Sequence, residues 1–405
     1  MDFKNDFDIF VGGKSGVFKG VKIDKKQCIA KNIQNLISIT KDHQVTTMSW
    51  GDDDEKDVLV GCGSTENRSV KVYDSQHSAF STSFSCNTGP GKIRGISRYN
   101  DCIITAVESG DINLWKQGES IRVIKTSTDL HAMKHSKSNI NIIATGGKEH
   151  PLQLFDLEHD KVTFKEKNVR HDWLEMRVPV WVSDIAFLPN SSKIAVCSRY
   201  GYVRVYDPLV QKRPVLNVQV KDEALTTLAI APKENHVVVG SGKGIMNLVD
   251  LRNPGKILNT YKGFVGGITA ISCPTNNPYI VSVGLDRYLR VHDLNTKELL
   301  QKVYLTSRLS SMVLRSEFIL NDVSANEENK EKLNDEKIKI INVDHDDIKS
   351  DQEYDDIFNK MPVIGNDENF NENTMTGKRK IFTLKSKLSS NKNDNCNYKK
   401  IKKIK

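Results

Sequence analysis

The sequence predicts an all-β protein: a seven-bladed propeller followed by a charged C-terminal tail that cannot build a core of its own. Three observations predict it. One hairpin pattern, a tight turn flanked by apolar runs, recurs seven times, in steps of 50, 42, 40, 51, 43 and 43 residues. A period of about 40–45 residues with several short strands per unit is the arithmetic of a propeller blade. Within the runs, as in Val203-Arg204-Val205-Tyr206 and Leu289-Arg290-Val291-His292, apolar residues fall at every second place, the period of a strand. After about Leu320, Asn, Asp, Glu and Lys dominate and few aromatics remain to bury, the composition of disorder.

The units run in order along the chain and end at positions 24, 74, 116, 156, 207, 250 and 293. The first is Ile9-Phe10-Val11-Gly12-Gly13 with Gly20-Val21-Lys22-Ile23-Asp24, and the last is Ile280-Val281-Ser282-Val283-Gly284 with Leu289-Arg290-Val291-His292-Asp293. Short polar and glycine pairs between the runs supply hairpin turns. Seven units closing on themselves leave few exposed sheet edges. The expected organisation is a propeller over residues 1–318, an acidic Asn-rich linker over 319–377 and a basic tail over 378–405.

The charge is unevenly laid out. Net charge is +8, yet residues 321–373 hold 16 acidic and 6 basic side chains, and residues 378–405 hold 11 basic and 1 acidic. A basic body with a basic end points towards nucleic acid or acidic partners. No run of about 18 apolar residues occurs, so no membrane span is expected, and Met1-Asp2-Phe3-Lys4 lacks the order of a signal peptide. Seven scattered Cys, none spaced as C-x-x-C, imply reduced thiols and no zinc site.

Four stretches carry candidate chemistry. Gly12-Gly13-Lys14-Ser15-Gly16 resembles a phosphate loop but has Asp8 where that pattern needs Gly, and strand residues follow, so a hairpin turn is expected. In Gly284-Leu285-Asp286-Arg287 the Asp is expected to fix the turn, leaving Arg287 to face a partner. Asn168 to Pro179 interrupts the repeat with Arg170, His171, Asp172, Trp173 and Arg177. Two readings stay open for it: a loop that covers a blade, or an interface anchor of the Trp and Arg type. Trp181 is assigned to packing. In the tail, Ile357, Phe358 and Met361 suit one face of a short docking helix, and Lys378, Arg379, Lys380, Lys399, Lys400, Lys402 and Lys403 form a double basic cluster that favours nuclear import over phosphate contact. The dispersed His residues form no recognisable catalytic arrangement, so neither catalysis nor a cofactor is expected.

Family resemblance enters on these residues. Tyr73-Asp74, Phe155-Asp156, Tyr206-Asp207, Val249-Asp250 and His292-Asp293 stand where a WD repeat has Trp-Asp, and Trp115-Lys116 keeps only the Trp. His43 is retained but its counterparts are mostly missing, so the internal hydrogen-bond tetrad of WD repeats is expected to be incomplete. Asn168 to Trp181, Ala144-Thr145-Gly146-Gly147-Lys148-Glu149, Arg204-Val205-Tyr206-Asp207-Pro208, Gln211-Lys212-Arg213-Pro214-Val215 and Lys302 to Leu309 together resemble the WD-repeat ribosome-assembly factors of the NSA-one, or WD repeat-containing protein seventy-four, family.

That resemblance spans about residues 8–315. It implies a nucleolar, non-catalytic scaffold in large-subunit (60S) ribosome biogenesis and rRNA processing. Such a scaffold binds pre-ribosomal proteins and rRNA as one copy within a larger complex, and an AAA-type ATPase releases it. The implied binding residues are Lys148, Glu149, Arg170, Asp172, Trp173, Arg177, Arg213 and Arg287. Two other classes are weighed against it: a substrate receptor of a cullin-type ubiquitin ligase, from Val249-Asp250-Leu251-Arg252, and an RNA-binding protein acting through its tail alone.

Overall fold

The computed structural model describes residues 7–320, apart from 25–27, 35–36, 38, 173 and 253, and folds them into seven four-stranded antiparallel sheets. Six blades are continuous in sequence: blade 1 (45–85), blade 2 (93–125), blade 3 (130–165), blade 4 (182–219), blade 5 (225–261) and blade 6 (268–304). Each runs from an inner strand at the axis to a fourth strand at the perimeter. Blade 7 is composite: its inner strand Leu309–Leu314 pairs with Ile9–Gly13, which is followed outwards by Phe18–Ile23 and Cys28–Asn32.

Burial explains why the repeat was legible. The second strands lie between neighbouring blades with both faces covered, so His236–Ser241 and Ile194–Ser198 are buried at every position and read as unbroken apolar runs. Val237, Val238 and Val239 are each 0% exposed, and such burial stabilises by roughly 1.5–3 kcal/mol per side chain. The fourth strands are wet: Ala79–Ser85 is mostly exposed and rich in Ser and Thr. Blades meet where small residues let them. A Cβ on Gly146 would stand 2.6 Å from Val182 of blade 4, and one on Gly12 would run into Val45 of blade 1.

The Asp that ends the units folds the turn to the fourth strand. Asp74 Oδ1 accepts from the backbone N–H of Gln76 and His77, Asp156 from Glu158 and His159, and Asp293 from Asn295 and Thr296. Its companion in the WD pair is a core side chain and tolerates Tyr, Phe, Val or His. The tetrad survives in part: Trp115 Nε1 donates to Thr105 Oγ1 at 2.8 Å, whereas His43 serves a local turn with Thr40. Asp286 takes N–H bonds from Val265 and Tyr288 and pairs with the buried Arg290 at 2.6 Å, a structural role. Gly12 to Gly16 forms the hairpin between two strands of blade 7. The six described cysteines are free thiols, and burial pushes Cys86 and Cys273 up to about 12.

Closure depends on the strand that comes from the far end of the chain. Ile9 faces Leu314 and Phe10 faces Val313 in register. Around that ladder, Arg315 Nε donates to the Phe7 carbonyl at 3.0 Å, the Ser316 N–H donates to Glu55, and Trp50 Nε1 donates to the Leu314 carbonyl at 2.9 Å. The ring is thereby latched by backbone pairing and side-chain bonds together.

Candidate functional site at the channel mouth

The seven inner strands enclose an axial cavity of about 710 Å³. Where each inner strand begins, its pairing slips by one residue, after Val45, Ile93, Leu130, Val182, Leu225 and Ile268, and at Gly12/Gly13 of the partner strand in blade 7. A bulge re-aims the extra side chain, here into the channel. The second residues of the inner strands therefore make a ring: Thr46, Arg94, His131, Ser183, Thr226, Thr269 and Ser310, all lining the cavity.

One arc of this ring is spent on the fold. Thr226 Oγ1 donates to the carbonyls of Gly240 in its own blade and Ile268 in the next, Thr269 to Val283 and Leu309, and Ser310 to Gly12 and Val45. Each hydroxyl stitches two blades. Thr46 makes the first of these two bonds, to Gly61.

The other arc, in blades 2, 3 and 4, departs from that solution. Arg94 reaches Glu108 at 2.8 Å. Burial would raise the Glu108 carboxyl, but the Arg94 hydrogen bond and charge hold it below the ordinary carboxylate range. Burial and Arg94 lower the His131 pKa against the opposing pull of Glu108 and Asp129, which favours the neutral imidazole. Its ring lies 5.6 Å from that of Trp181. The Ser183 hydroxyl, shielded from solvent, has no hydrogen-bond partner among the described residues.

Trp181 is the hub of this arc. It closes an isolated bridge with Lys148 just before the inner strand of blade 4. The Lys148 ammonium and the Arg199 guanidinium lie 5.3 and 5.6 Å from its ring centre, and Tyr200 meets it edge-on. The segment that interrupts the repeat, residues 168–179, stands beside it. Asn168 Nδ2 donates to the Val178 carbonyl at 2.7 Å and closes the segment's base, while Asp172 Oδ1 accepts from the N–H groups of Leu174 and Met176 and folds its tip. Arg177 pairs with Glu149 at 2.8 Å across the two loops. At the root, burial raises the pKa of the Glu166 carboxyl.

The structure thus brings Lys148, Glu149, Asp172 and Arg177 to one rim, with Asp172 serving as the fold of the loop, while Arg170 lies exposed on the same segment. Trp173 lies outside the described residues, as do Ile357, Phe358, Met361, Lys378, Arg379, Lys380, Lys399, Lys400, Lys402 and Lys403. Arg213 lies on the fourth strand of blade 4, where its Nε donates to the Asn168 carbonyl at 3.3 Å and anchors the segment from outside. Arg287 sits two blades away on a turn of blade 6, beside the Tyr304 hydroxyl. Arg252 turns back onto its neighbour Asp250 and holds that carboxyl down at about 2.

Comparisons with known proteins fit this architecture. The family described as "WD domain, G-beta repeat" matches residues 178–207 and 255–293. WD repeat-containing protein 74 of Homo sapiens is 35% identical over 315 residues, covering 76% of this chain and 80% of its own. The chain belongs to the WD repeat-containing protein 74 family. The Bos taurus member is 36% identical over the same shares. The ribosome biogenesis protein NSA1 of Meyerozyma guilliermondii is 29% identical over 218 residues, 45% of this chain and 54% of its own. In this family member the arc formed by Arg94, His131, Trp181 and Arg199 was not legible as a group. Its residues come from three blades, and only the bulge turns the first two into the channel.

Proposed function

We propose that this protein is a non-catalytic factor of ribosome biogenesis whose propeller docks on precursors of the large ribosomal subunit through the rim at blades 3 and 4. The relatives named for ribosome biogenesis support the process, and the Trp181 rim supports the docking face. Arg, Trp, Tyr and Met are enriched at interface centres. Here Lys148, Arg177, Arg199, Trp181, Tyr200 and Met176 share one mouth. A preformed rigid ring loses little entropy on docking, so the protein acts by binding and not by turnover.

In this reading the protein works in the nucleus and nucleolus as one copy within the particle, meeting its proteins and rRNA, and an AAA-type ATPase releases it. The basic tail serves import and adds a second contact that raises effective concentration. Sedimentation of a cell extract on a sucrose gradient tests the reading. Co-migration with large-subunit precursors, lost on Arg177→Glu with Arg199→Glu, is expected. A peak confined to light fractions beside a ubiquitin-ligase adaptor overturns it.

A further inference from the structure

We infer that the Trp181 seat takes a carboxylate-bearing segment of a protein partner, laid across the channel mouth with acidic side chains on Lys148 and Arg199. The inference rests on the docking reading above and names the chemistry of what docks.

The cations come first. Arg94, Arg98, Arg122, Arg177, Arg252 and Arg290 each hold a carboxylate of this chain. Lys148 and Arg199 are exposed, lie over one indole, and have no ion-pair partner among the described residues. An aromatic ring attracts a cation without neutralising it. The pair is therefore held in place with its charge still available to an anion, and Arg199 keeps the planar fork that fits a carboxylate.

The seat is also backed by depth. Beneath it the cavity is lined by His131 and by the Ser183 hydroxyl that has no partner. A side chain entering the mouth meets the His131 imidazole there, while the Ser183 hydroxyl stays shielded behind it. On the opposite arc the Thr226, Thr269 and Ser310 hydroxyls are already engaged with backbone.

Phosphate from RNA is the rival anion, and two observations disfavour it. Sequence-tolerant RNA grooves stack bases on open aromatic faces and follow the backbone with positive charge. Here Trp181 already carries the two cations over its ring. The rim also mixes signs, with Glu149, Asp172 and Glu175 among Lys148, Arg170 and Arg177, and it exposes Leu174, Met176 and Tyr200. A ribose-phosphate chain would be repelled by those carboxylates, whereas exposed Met, Tyr and Arg side chains are the ones enriched at protein interfaces.

The test uses the full-length chain, a fluorescein-labelled oligoglutamate peptide and an oligouridylate of equal charge, read by fluorescence anisotropy. Lys148→Glu with Arg199→Glu is expected to weaken the peptide by about tenfold or more and to leave the oligouridylate unchanged. Lys148→Gln with Arg199→Gln, checked by thermal melting for an intact fold, is expected to give the same loss to a lesser degree. Peptide affinity unmoved in both variants overturns the inference. Loss of oligouridylate affinity instead assigns the seat to RNA. If the glutamine variant stays on precursor particles in the gradient while losing the peptide, the docking reading fails and the carboxylate seat stands.

Discussion

The two arcs of the channel ring occupy equivalent positions and do different work. In blades 5, 6 and 7 the re-aimed residue is Thr or Ser, and its hydroxyl joins two backbone carbonyls across a blade junction. In blades 2, 3 and 4 the same position holds Arg94, His131 and Ser183, and none of the three makes that stitch. A repeat protein solves one packing problem seven times, so a place where it abandons the shared solution shows a second demand on those residues. The abandoned arc is the one that lies under the inserted segment and the Trp181 seat.

The comparison can be broken most severely at its latch. Ending the chain before Leu309 removes the Ser310 stitch together with the strand that pairs with Ile9–Gly13. The expected result is loss of cooperative melting, read by circular dichroism, because an open ring exposes two sheet edges. Overpacking a blade junction is the next largest effect. Gly146→Val drives side-chain atoms into Val182 and should cost about 1–3 kcal/mol in a denaturant titration.

Acid separates a histidine of the blade core from a histidine of the channel mouth. His292 of blade 6 is 2% exposed, packs on Tyr261 and Phe264 beside the Arg290 charge, and burial followed by that charge lowers its pKa to about 4. Its folded pKa lies below the unfolded value, so the folded state resists the proton. Stability is full above about 6.5 and falls as pH drops towards 4, by roughly 3 kcal/mol over that window. His292→Phe should flatten the fall in melting temperature across those pH values. His131→Phe at the wet mouth should flatten it less.

The smallest expected effect sharpens the contrast. Arg94→Thr with Glu108→Gln installs the stitching residue in blade 2, and melting should shift by no more than the ordinary ±0.5 kcal/mol of a surface change. A large loss would show that Arg94 serves the fold after all.

Sequence reading reached the repeating part of the molecule because period and burial coincide there. The second strands are apolar throughout, and the terminal Asp of each unit caps a turn by local bonds that its spacing reveals. Closure was not legible, since the partner of Ile9–Gly13 lies some 300 residues away by number and nothing local marks it. The site was legible only as far as it was local. Motifs single out Lys148, Glu149 and Arg177, and the structure sets the Arg177 guanidinium 2.8 Å from Glu149, next to Lys148. The same motifs put Arg213 on the face, yet its guanidinium braces the Asn168 carbonyl. Trp181 reads as a packing residue, and it does pack, but half-buried and with cations over it. Arg199, which carries no motif, came only from the fold.

The central claim is that one arc serves the partner and the other serves the ring. It is tested most directly by running Lys148→Gln with Arg199→Gln, and Thr226→Val with Thr269→Val, side by side through a melting curve and a sucrose gradient. The account predicts that the first pair melts like the wild type and leaves the large-subunit precursors. The second pair should lose about 1–3 kcal/mol of stability through its unpaired carbonyls and stay with the particles while folded. The reverse pattern, or particle loss in both, would contradict it.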